Sequence, residues 1–239
     1  MLAISITVAG SVGAAAVFAQ PTAIESGATA TEPADRGEVN QVGTPPQPAT
    51  ARYVVTLDIE WSAATHPSTL PPNSHISPPV VVGHGNAGDL FVVGALASPG
   101  IEAMAERGVT STVRGELAST VGVSSIQVGS SLFGAGSQQY DVTLSQPSGG
   151  LVSLVTMLAP SPDWFVGVAD VDLFAGGVWV DETTLDLGNY DAGTDSAPGF
   201  VHSNADTQPA LPISGPRDAA FASAVAEGRF GTVTFTRVS

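Results

Sequence analysis

The stretch Arg52–Trp61, with the sequence RYVVTLDIEW, decides the fold class of this chain. From Tyr53 to Trp61 every second residue is large and apolar, and the positions between them carry mainly polar side chains. Successive side chains of a β-strand point to opposite faces, so this period of two predicts a strand with one buried face. An amphipathic helix would instead repeat its apolar residues every three or four positions.

Similar patterns recur along the chain. Apolar and polar residues alternate in Tyr140–Ser145 and in Thr232–Thr236, while Leu151–Leu158 is almost continuously apolar. Many turns are expected from the 27 Gly and 18 Pro residues. The sequence therefore predicts an all-β fold, an antiparallel β-sandwich. Shorter strands are predicted at Val80–Val82, Leu90–Val93 and Val178–Val180.

Two short helices are predicted to cover the sandwich. Ser98 can cap the first helix, Pro99 suits its first position, and Gly108 ends it. The second helix is predicted to run from about Arg217 to Glu227, before Gly228. No part of the sequence alternates strands with long helices, which argues against a doubly wound α/β sheet.

The composition excludes several classes of function. Seven arginines and no lysine face 22 acidic residues, giving a formal net charge of -15. Proteins bind nucleic acid by neutralising phosphates with Lys and Arg, so nucleic acid is not an expected partner. The chain has no cysteine, which excludes disulfides and thiolate metal sites. Its acidity indicates a soluble surface that attracts cations or, alternatively, adaptation to a saline habitat.

The first residues have the features of an export signal. Leu2–Ala19 carries no charged side chain and ends in small residues, which predicts a signal peptide at residues 1–19. Cleavage is expected after Ala19, with Ala16 as a second position, and a retained membrane anchor is the alternative. Residues 20–50 are rich in Thr, Ala, Pro, Glu and Gly, which predicts a disordered linker. The folded domain is expected at residues 51–239 of a secreted or cell-envelope protein.

Two further features could carry chemistry. Gly83–Gly88, GHGNAG, matches the glycine pattern of dinucleotide-binding loops, but the apolar run after it predicts a strand rather than the required helix. A hairpin turn is therefore expected there.

A secreted hydrolase that pairs His84 or His202 with an aspartate remains an alternative, although the nucleophile motif GxSxG is absent. Surface or turn-stabilising positions, rather than a zinc site, are predicted for His66, His75, His84 and His202.

Two acidic loop motifs are the strongest candidates for a binding site. Asp163 lies in SPDWFVG, residues 161–167, and Asp191 and Asp195 lie in DAGTDS, residues 191–196. Calcium binds carboxylate and carbonyl oxygens, and a glycine between two aspartates lets the backbone wrap around one ion. Aspartates are also common in turns without any metal, because they bond to their own backbone. The spacing leaves both interpretations open, and the EF-hand motif is absent.

These motifs resemble those of the spondin domain family. The likeness extends over about residues 51–239 and rests on the order and spacing of several segments as well as on their residues. They are Tyr53–Trp61, Ser77–Pro79 with His84, Ala103–Gly108, Pro160–Gly167, Asp191–Ser196 and the downstream Phe200, Asn204, Thr207 and Pro209.

The resemblance implies an antiparallel β-sandwich similar to calcium-dependent lipid-binding sandwich domains. Such domains occur in extracellular F-spondin-like matrix proteins and alone in many bacterial secreted proteins, and they bind calcium through aspartates. Carried over to this sequence, the calcium ligands fall on Asp163, Asp191 and Asp195. The animal proteins also use disulfides, which this chain cannot form.

The expected function is calcium-dependent binding or adhesion outside the cell, as in an extracellular matrix, and not catalysis. An extracellular protein, a polysaccharide or a lipid surface is the expected partner. A secreted hydrolase and a metal-free structural envelope protein are the alternatives.

Overall fold

The computed structural model describes residues 47–202 and 205–239, and these residues form two antiparallel β-sheets with three short α-helices. The predicted antiparallel β-sandwich is confirmed. The strands are β1 (Thr50–Ile59), β2 (His75–Ile76), β3 (Val80–His84), β4 (Ser125–Val128), β5 (Leu132–Phe133), β6 (Gly136–Ser145), β7 (Leu151–Ala159), β8 (Trp164–Asp172), β9 (Glu182–Asp186), β10 (Gly188–Asp191) and β11 (Gly231–Arg237). The helices are α1 (Pro99–Arg107), α2 (Ser111–Ala118) and α3 (Ala219–Glu227).

The smaller sheet has the strand order β6-β1-β11-β9, with β1 in the interior. Val55 of β1 lies opposite Tyr140 of β6 and Phe235 of β11. Tyr53, Val55 and Leu57 are fully buried, whereas the residues between them are partly exposed. The alternation read from the sequence therefore corresponds to one face on the core and one face toward solvent.

The larger sheet has β7 at its centre. β8 pairs along one side of β7, and β10 continues the sheet beyond β8. On its other side β7 pairs with β2 near Ala159 and with β3 near Leu151, and β5 and β4 extend the sheet from those two strands. A strand between two neighbours has all its backbone groups paired, which suits burial on both faces.

The two faces of β7 belong to two separate hydrophobic clusters. Val152 and Leu154 pack in the core between the sheets, whereas Val155 and Met157 pack on the outer face with Met104 of α1. The outer face is thus covered by a helix and not by solvent. This double burial explains why the sequence of β7 is continuously apolar instead of alternating.

Both predicted helices are present, with small changes at their ends. In α1 the Ser98 hydroxyl accepts a hydrogen bond from the Ile101 N–H at 3.2 Å, and Gly108 ends the helix with φ of 65°. α3 begins two residues later than predicted. Its cap is Asp218, whose carboxylate accepts a hydrogen bond from the Ala220 N–H at 2.7 Å.

The sequence did not predict α2. Its buried side chains are Val113 and Leu117, which give too short an apolar stripe to be distinguished from a loop. Tertiary contacts fix the helix instead, because the Glu116 carboxylate accepts hydrogen bonds from the Ser98 hydroxyl at 2.7 Å and the Gly100 N–H at 2.8 Å.

The strand predicted at Leu90–Val93 is wrong. β3 already pairs with β4 and β7, so no free edge remains beside it for a hairpin partner. The segment forms a loop between Gly88 and Gly94, whose φ values are 84° and 90°. The Gly94 N–H donates to the Ile213 carbonyl at 2.8 Å, which ties the loop to a distant segment.

The strand predicted at Val178–Val180 is also wrong. The backbone there bends back on itself, since the Val178 N–H donates to Ala175 and the Val180 N–H donates to Leu173. These local bonds occupy groups that a sheet ladder would need.

The predicted signal peptide at residues 1–19 and most of the predicted linker at residues 20–50 lie outside the described residues, and β1 begins at Thr50. Among the residues that the structure describes, no helix is both long and apolar enough to span a membrane.

Candidate metal centre

Asp163 is held in the turn between β7 and β8. The Trp164 N–H donates to the Ser161 hydroxyl at 3.1 Å, and the Trp164 indole stacks on Phe221 with 4.6 Å between ring centroids. The Asp163 side chain beside this anchor is fully buried. Because an ionised carboxylate is costly to bury without partners, its surroundings determine what it can do.

The loop after β10 wraps around Asp163. Asp191 ends β10, which pairs with β8, and the Ala192 N–H donates to the Asp163 main-chain carbonyl at 3.1 Å. The N–H groups of Thr194 and Asp195 then donate to Asp163 Oδ2 at 2.8 and 3.2 Å. The pairing of β10 with β8 therefore brings the two acidic motifs of the sequence into contact.

The other oxygen of Asp163, Oδ1, is buried and accepts no hydrogen bond from any described residue. Burial raises the pKa of Asp163 to about 6 and the neighbouring Asp191 carboxylate also raises it, while the N–H bonds from the loop lower it. A buried polar atom without a partner costs about 1–3 kcal/mol. Oδ1 is thus a strong acceptor that none of the described residues satisfies.

Asp191 is paired within the chain. Its Oδ1 accepts hydrogen bonds from the Gly193 N–H at 3.0 Å and from Arg217 Nη1. The same guanidinium donates from Nη2 to the Pro212 carbonyl. Burial raises the pKa of Asp191, and the charge and hydrogen bond of Arg217 lower it.

Asp195 and Glu106 add two more buried carboxylates to this region. Asp195 Oδ1 accepts a hydrogen bond from its neighbour, the Ser196 N–H, at 2.7 Å. Burial raises the pKa of Glu106. The Thr194 hydroxyl and Arg107 lower this pKa, and the negative charge of Asp195 raises it further. Glu106 thus lies close enough to the loop to interact with Asp195.

Sequence reasoning did not identify Glu106 or Arg217 as parts of this region. Glu106 lies beside the apolar face of α1 in the sequence pattern, so no local signal indicates that it is buried. Arg217 stood out only as the predicted start of a helix. Its one signal is scarcity, because each of the seven arginines in so acidic a chain is a candidate counter-ion.

Asp191 and Asp195 line a cavity of about 500 Å³, whose wall also includes Trp164, Thr207 and Arg217. Within residues 47–202 and 205–239, no group of three or more His, Asp or Glu side chains is arranged to hold a metal ion. The three predicted aspartates nevertheless lie around one loop. Each of them uses one oxygen in a hydrogen bond within the protein.

Comparison with known proteins identifies the family. The family model for Spondin_N matches residues 51–221. This chain belongs to the spondin family. Spondin-2 of Rattus norvegicus is 34% identical over 164 residues, which cover 64% of this chain and 48% of that protein. Spondin-2 of Homo sapiens is 33% identical, with 65% and 49% covered, and Spondin-1 of Gallus gallus is 32% identical, with 67% and 21% covered.

The spondin domain of this chain thus spans about half the length of the Spondin-2 proteins and about a fifth of Spondin-1. The family predicted from the paired acidic motifs is confirmed.

The residues of this spondin domain fit calcium by donor type. Asp163, Asp191 and Asp195 supply hard carboxylate oxygens, which calcium prefers. The buried and unsatisfied Oδ1 of Asp163 is the observation that favours a cation at this position. Asp191 is already paired with Arg217, so these residues match calcium in their donor atoms and their location and do not form a free set of ligands.

A serine and a histidine also lie close together in this spondin domain. His84 Nε2 is 2.8 Å from Ser153 Oγ, and His84 Nδ1 is 3.5 Å from Asp89 Oδ2. Both His84 and Ser153 are fully buried, and Ser153 Oγ accepts a hydrogen bond from the Asp170 N–H at 2.8 Å. The group therefore resembles a catalytic triad in composition only, because a substrate cannot reach the serine.

The histidines were predicted at surface or turn-stabilising positions, and His66 and His84 are fully buried rather than at the surface. The predicted contacts with turns are present: His66 Nε2 lies 3.1 Å from the Gly228 carbonyl, His75 Nδ1 2.7 Å from the Asn73 carbonyl and His84 Nδ1 3.0 Å from the Asn86 carbonyl. His202 is exposed.

Gly193 is required by the conformation of the acidic loop. Its φ is 76°, and a Cβ atom there would collide with the Leu211 carbonyl oxygen. We expect Gly193→Ala to lower the free energy of unfolding by about 2 kcal/mol, from backbone strain and this collision. Gly199→Ala is the matched control, since its φ is 79° but the added Cβ meets no described atom within 4 Å. Equal losses in urea denaturation would contradict the close approach to Leu211.

Proposed function

We propose that this spondin domain is an exported calcium-binding module that binds a partner outside the cell and does not act as an enzyme. The observation that carries the proposal is the buried Oδ1 of Asp163, which no described residue satisfies. Asp163, Asp191 and Asp195 would hold the ion, together with backbone carbonyls and water.

The electrostatics of the loop support a cation at this position. Burial and a neighbouring carboxylate raise the pKa of Asp163 to about 6, so the ionised form is unfavourable in the metal-free protein. Calcium, when bound, supplies two positive charges that favour the ionised form of these carboxylates. The binding of calcium is therefore coupled to the ionisation of Asp163.

The proposed location and partner rest on the sequence. The export-type residues 1–19 and the extracellular occurrence implied by the family resemblance support secretion or a place in the cell envelope. The net charge of -15 argues against nucleic acid. An extracellular protein, a polysaccharide or a lipid surface remains the proposed partner, in an adhesive or matrix-like role.

A hydrolase is the weaker alternative. The serine beside His84 is fully buried, as is the histidine itself. His202 is exposed and no ion pair joins it to an acidic residue of the described segments. A metal-free structural role is the other alternative. A calcium titration distinguishes it from the proposal, because a metal-free protein would not respond to calcium.

Calcium is expected to stabilise the chelator-stripped chain. A ligand that binds only the native state contributes about 2.7 kcal/mol at a hundredfold excess over Kd, which raises Tm by about 5–10 °C for a domain of this size. Scanning calorimetry with and without calcium measures this shift. Asp195→Asn is expected to remove most of it, because one anionic ligand is lost.

Asp181→Asn is the matched control for charge, since the Asp181 side chain is 94% exposed and pairs with Arg237 at the surface. A flat Tm for the wild-type chain up to millimolar calcium would reject the calcium site. An unchanged calcium shift in Asp195→Asn would place the site elsewhere.

A further inference from the structure

Arg217 is a cation that contacts the proposed site through an ion pair with Asp191. Its Nη1 donates to Asp191 Oδ1 and lies 3.5 Å from the Asp191 main-chain carbonyl, and its Nη2 donates to the Pro212 carbonyl. About a third of the Arg217 side chain is exposed, whereas the Asp191 side chain is largely buried. The guanidinium therefore covers a buried carboxylate from the side of the cavity.

The same contacts connect Arg217 to the segment beside the acidic loop. The Leu211 N–H donates to the Gly193 carbonyl at 2.8 Å, and Asp191 and Ser214 exchange two backbone hydrogen bonds of 3.0 and 3.1 Å. Arg217 joins this ladder through the Pro212 carbonyl. Its position is thus fixed by the backbone as well as by the charge of Asp191.

We propose that Arg217 is an internal counter-ion that competes with calcium for Asp191 and thereby sets the calcium affinity of the site. The inference rests on the proposed function. It follows from charge, because a guanidinium and a divalent cation at one carboxylate repel each other. Each therefore weakens the binding of the other to that carboxylate. Without metal, Arg217 stabilises the buried Asp191; with metal, the same charge weakens binding.

The surrounding charges do not cancel this effect. The carboxylate of Asp218 acts on Asp191 as a like charge and is the cap of α3. Asp163 and Asp195 contribute further negative charge to the same region, whereas the charge of Glu106 is paired with Arg107. Removal of Arg217 therefore leaves a more negative site, which favours a divalent cation and disfavours the metal-free state.

The test is a calorimetric calcium titration of the chelator-stripped full chain and of Arg217→Gln. We expect the variant to bind calcium about tenfold more tightly. In the absence of calcium its Tm is expected to fall by about 5–10 °C, because Asp191 remains buried without its partner, and calcium is expected to restore most of this loss.

Two further variants keep the test decisive. Arg217→Lys retains the charge but not the planar fork that reaches both Asp191 and Pro212, so its affinity is expected between those of the wild type and Arg217→Gln. It also serves if the glutamine variant does not fold. Arg237→Gln is the matched control, since Arg237 pairs with the exposed Asp181 at 3.5 Å. This substitution is expected to leave calcium binding unchanged.

The outcomes separate this inference from the proposed function. Calcium binding by the wild type with equal or weaker binding by both Arg217 variants overturns the role of Arg217 and leaves the calcium site intact. The absence of calcium binding in every variant overturns the proposed function, and the inference with it. An equal gain in Arg237→Gln would attribute the effect to net charge and would also overturn the specific role of Arg217.

Discussion

Asp163→Asn is expected to make the metal-free protein more stable at about pH 7.5 and to abolish its response to calcium. The pKa of Asp163 rises from 3.8 to about 6 on folding, which corresponds to about 3 kcal/mol of unfavourable free energy when the group is ionised. Asparagine removes that charge, and its carbonyl oxygen can still accept the N–H bonds of Thr194 and Asp195. A gain of about 1–2 kcal/mol in the free energy of unfolding is expected, because the asparagine Nδ2 group takes the place of the unsatisfied Oδ1 and offsets part of the recovered cost.

The sign of the pH dependence provides an independent check. Because the pKa is raised in the folded state, the native protein holds a proton on Asp163 between about pH 4 and 6 that the unfolded chain has lost. The contribution of this group to stability is therefore complete below about pH 4 and is lost as the pH rises through about 6. The advantage of the asparagine variant is expected to vanish near pH 4.

Urea denaturation at both pH values, with and without calcium, measures these effects. Asp141→Asn is the matched control, because Asp141 lies on β6 with its side chain 74% exposed. It is expected to change stability by less than about 0.5 kcal/mol. Lower stability of Asp163→Asn at neutral pH without metal would contradict the burial account, and an undiminished calcium response would exclude Asp163 as a ligand.

Trp164→Ala is expected to cause the largest loss of stability, about 3–5 kcal/mol. The side chain is 1% exposed, stacks on Phe221 of α3 and meets Phe200 edge to face at 5.0 Å. It joins β8, α3 and the segment after the acidic loop. A domain stability of about 5–15 kcal/mol would be reduced by a large fraction.

The loss is measured as a shift in the midpoint of guanidinium denaturation at constant slope. Trp164→Phe is expected to retain more than half of the stability, since a smaller ring still stacks on Phe221. Phe133→Ala is the control for aromatic removal, because Phe133 is 70% exposed and packs on His75 at the surface. A loss below about 1 kcal/mol in Trp164→Ala would contradict the packing around β8.

The site could be predicted only in part. The identity of Asp163, Asp191 and Asp195 followed from two motifs and a family resemblance, and the structure places these residues around one loop. The pairing of Asp191 with Arg217 and the burial of Glu106 were not predictable, because neither residue stands in a pattern that indicates its partner. Contacts of this kind depend on how β10 and α1 pack against β8, and local sequence carries no record of that packing.

The same division holds for the fold. The sequence by itself determined β1, β6, β7 and β11, and it determined α1 through Ser98 and Gly108, because burial on one or two faces and helix capping are local properties of the chain. The tertiary structure alone decided that Leu90–Val93 forms a loop, since the neighbours of β3 were already in place. It alone decided that α2 forms, through the hydrogen bonds of Glu116. In both cases the deciding free energy comes from contacts with residues distant in sequence. The hydrophobic pattern within a segment contains no information about such contacts.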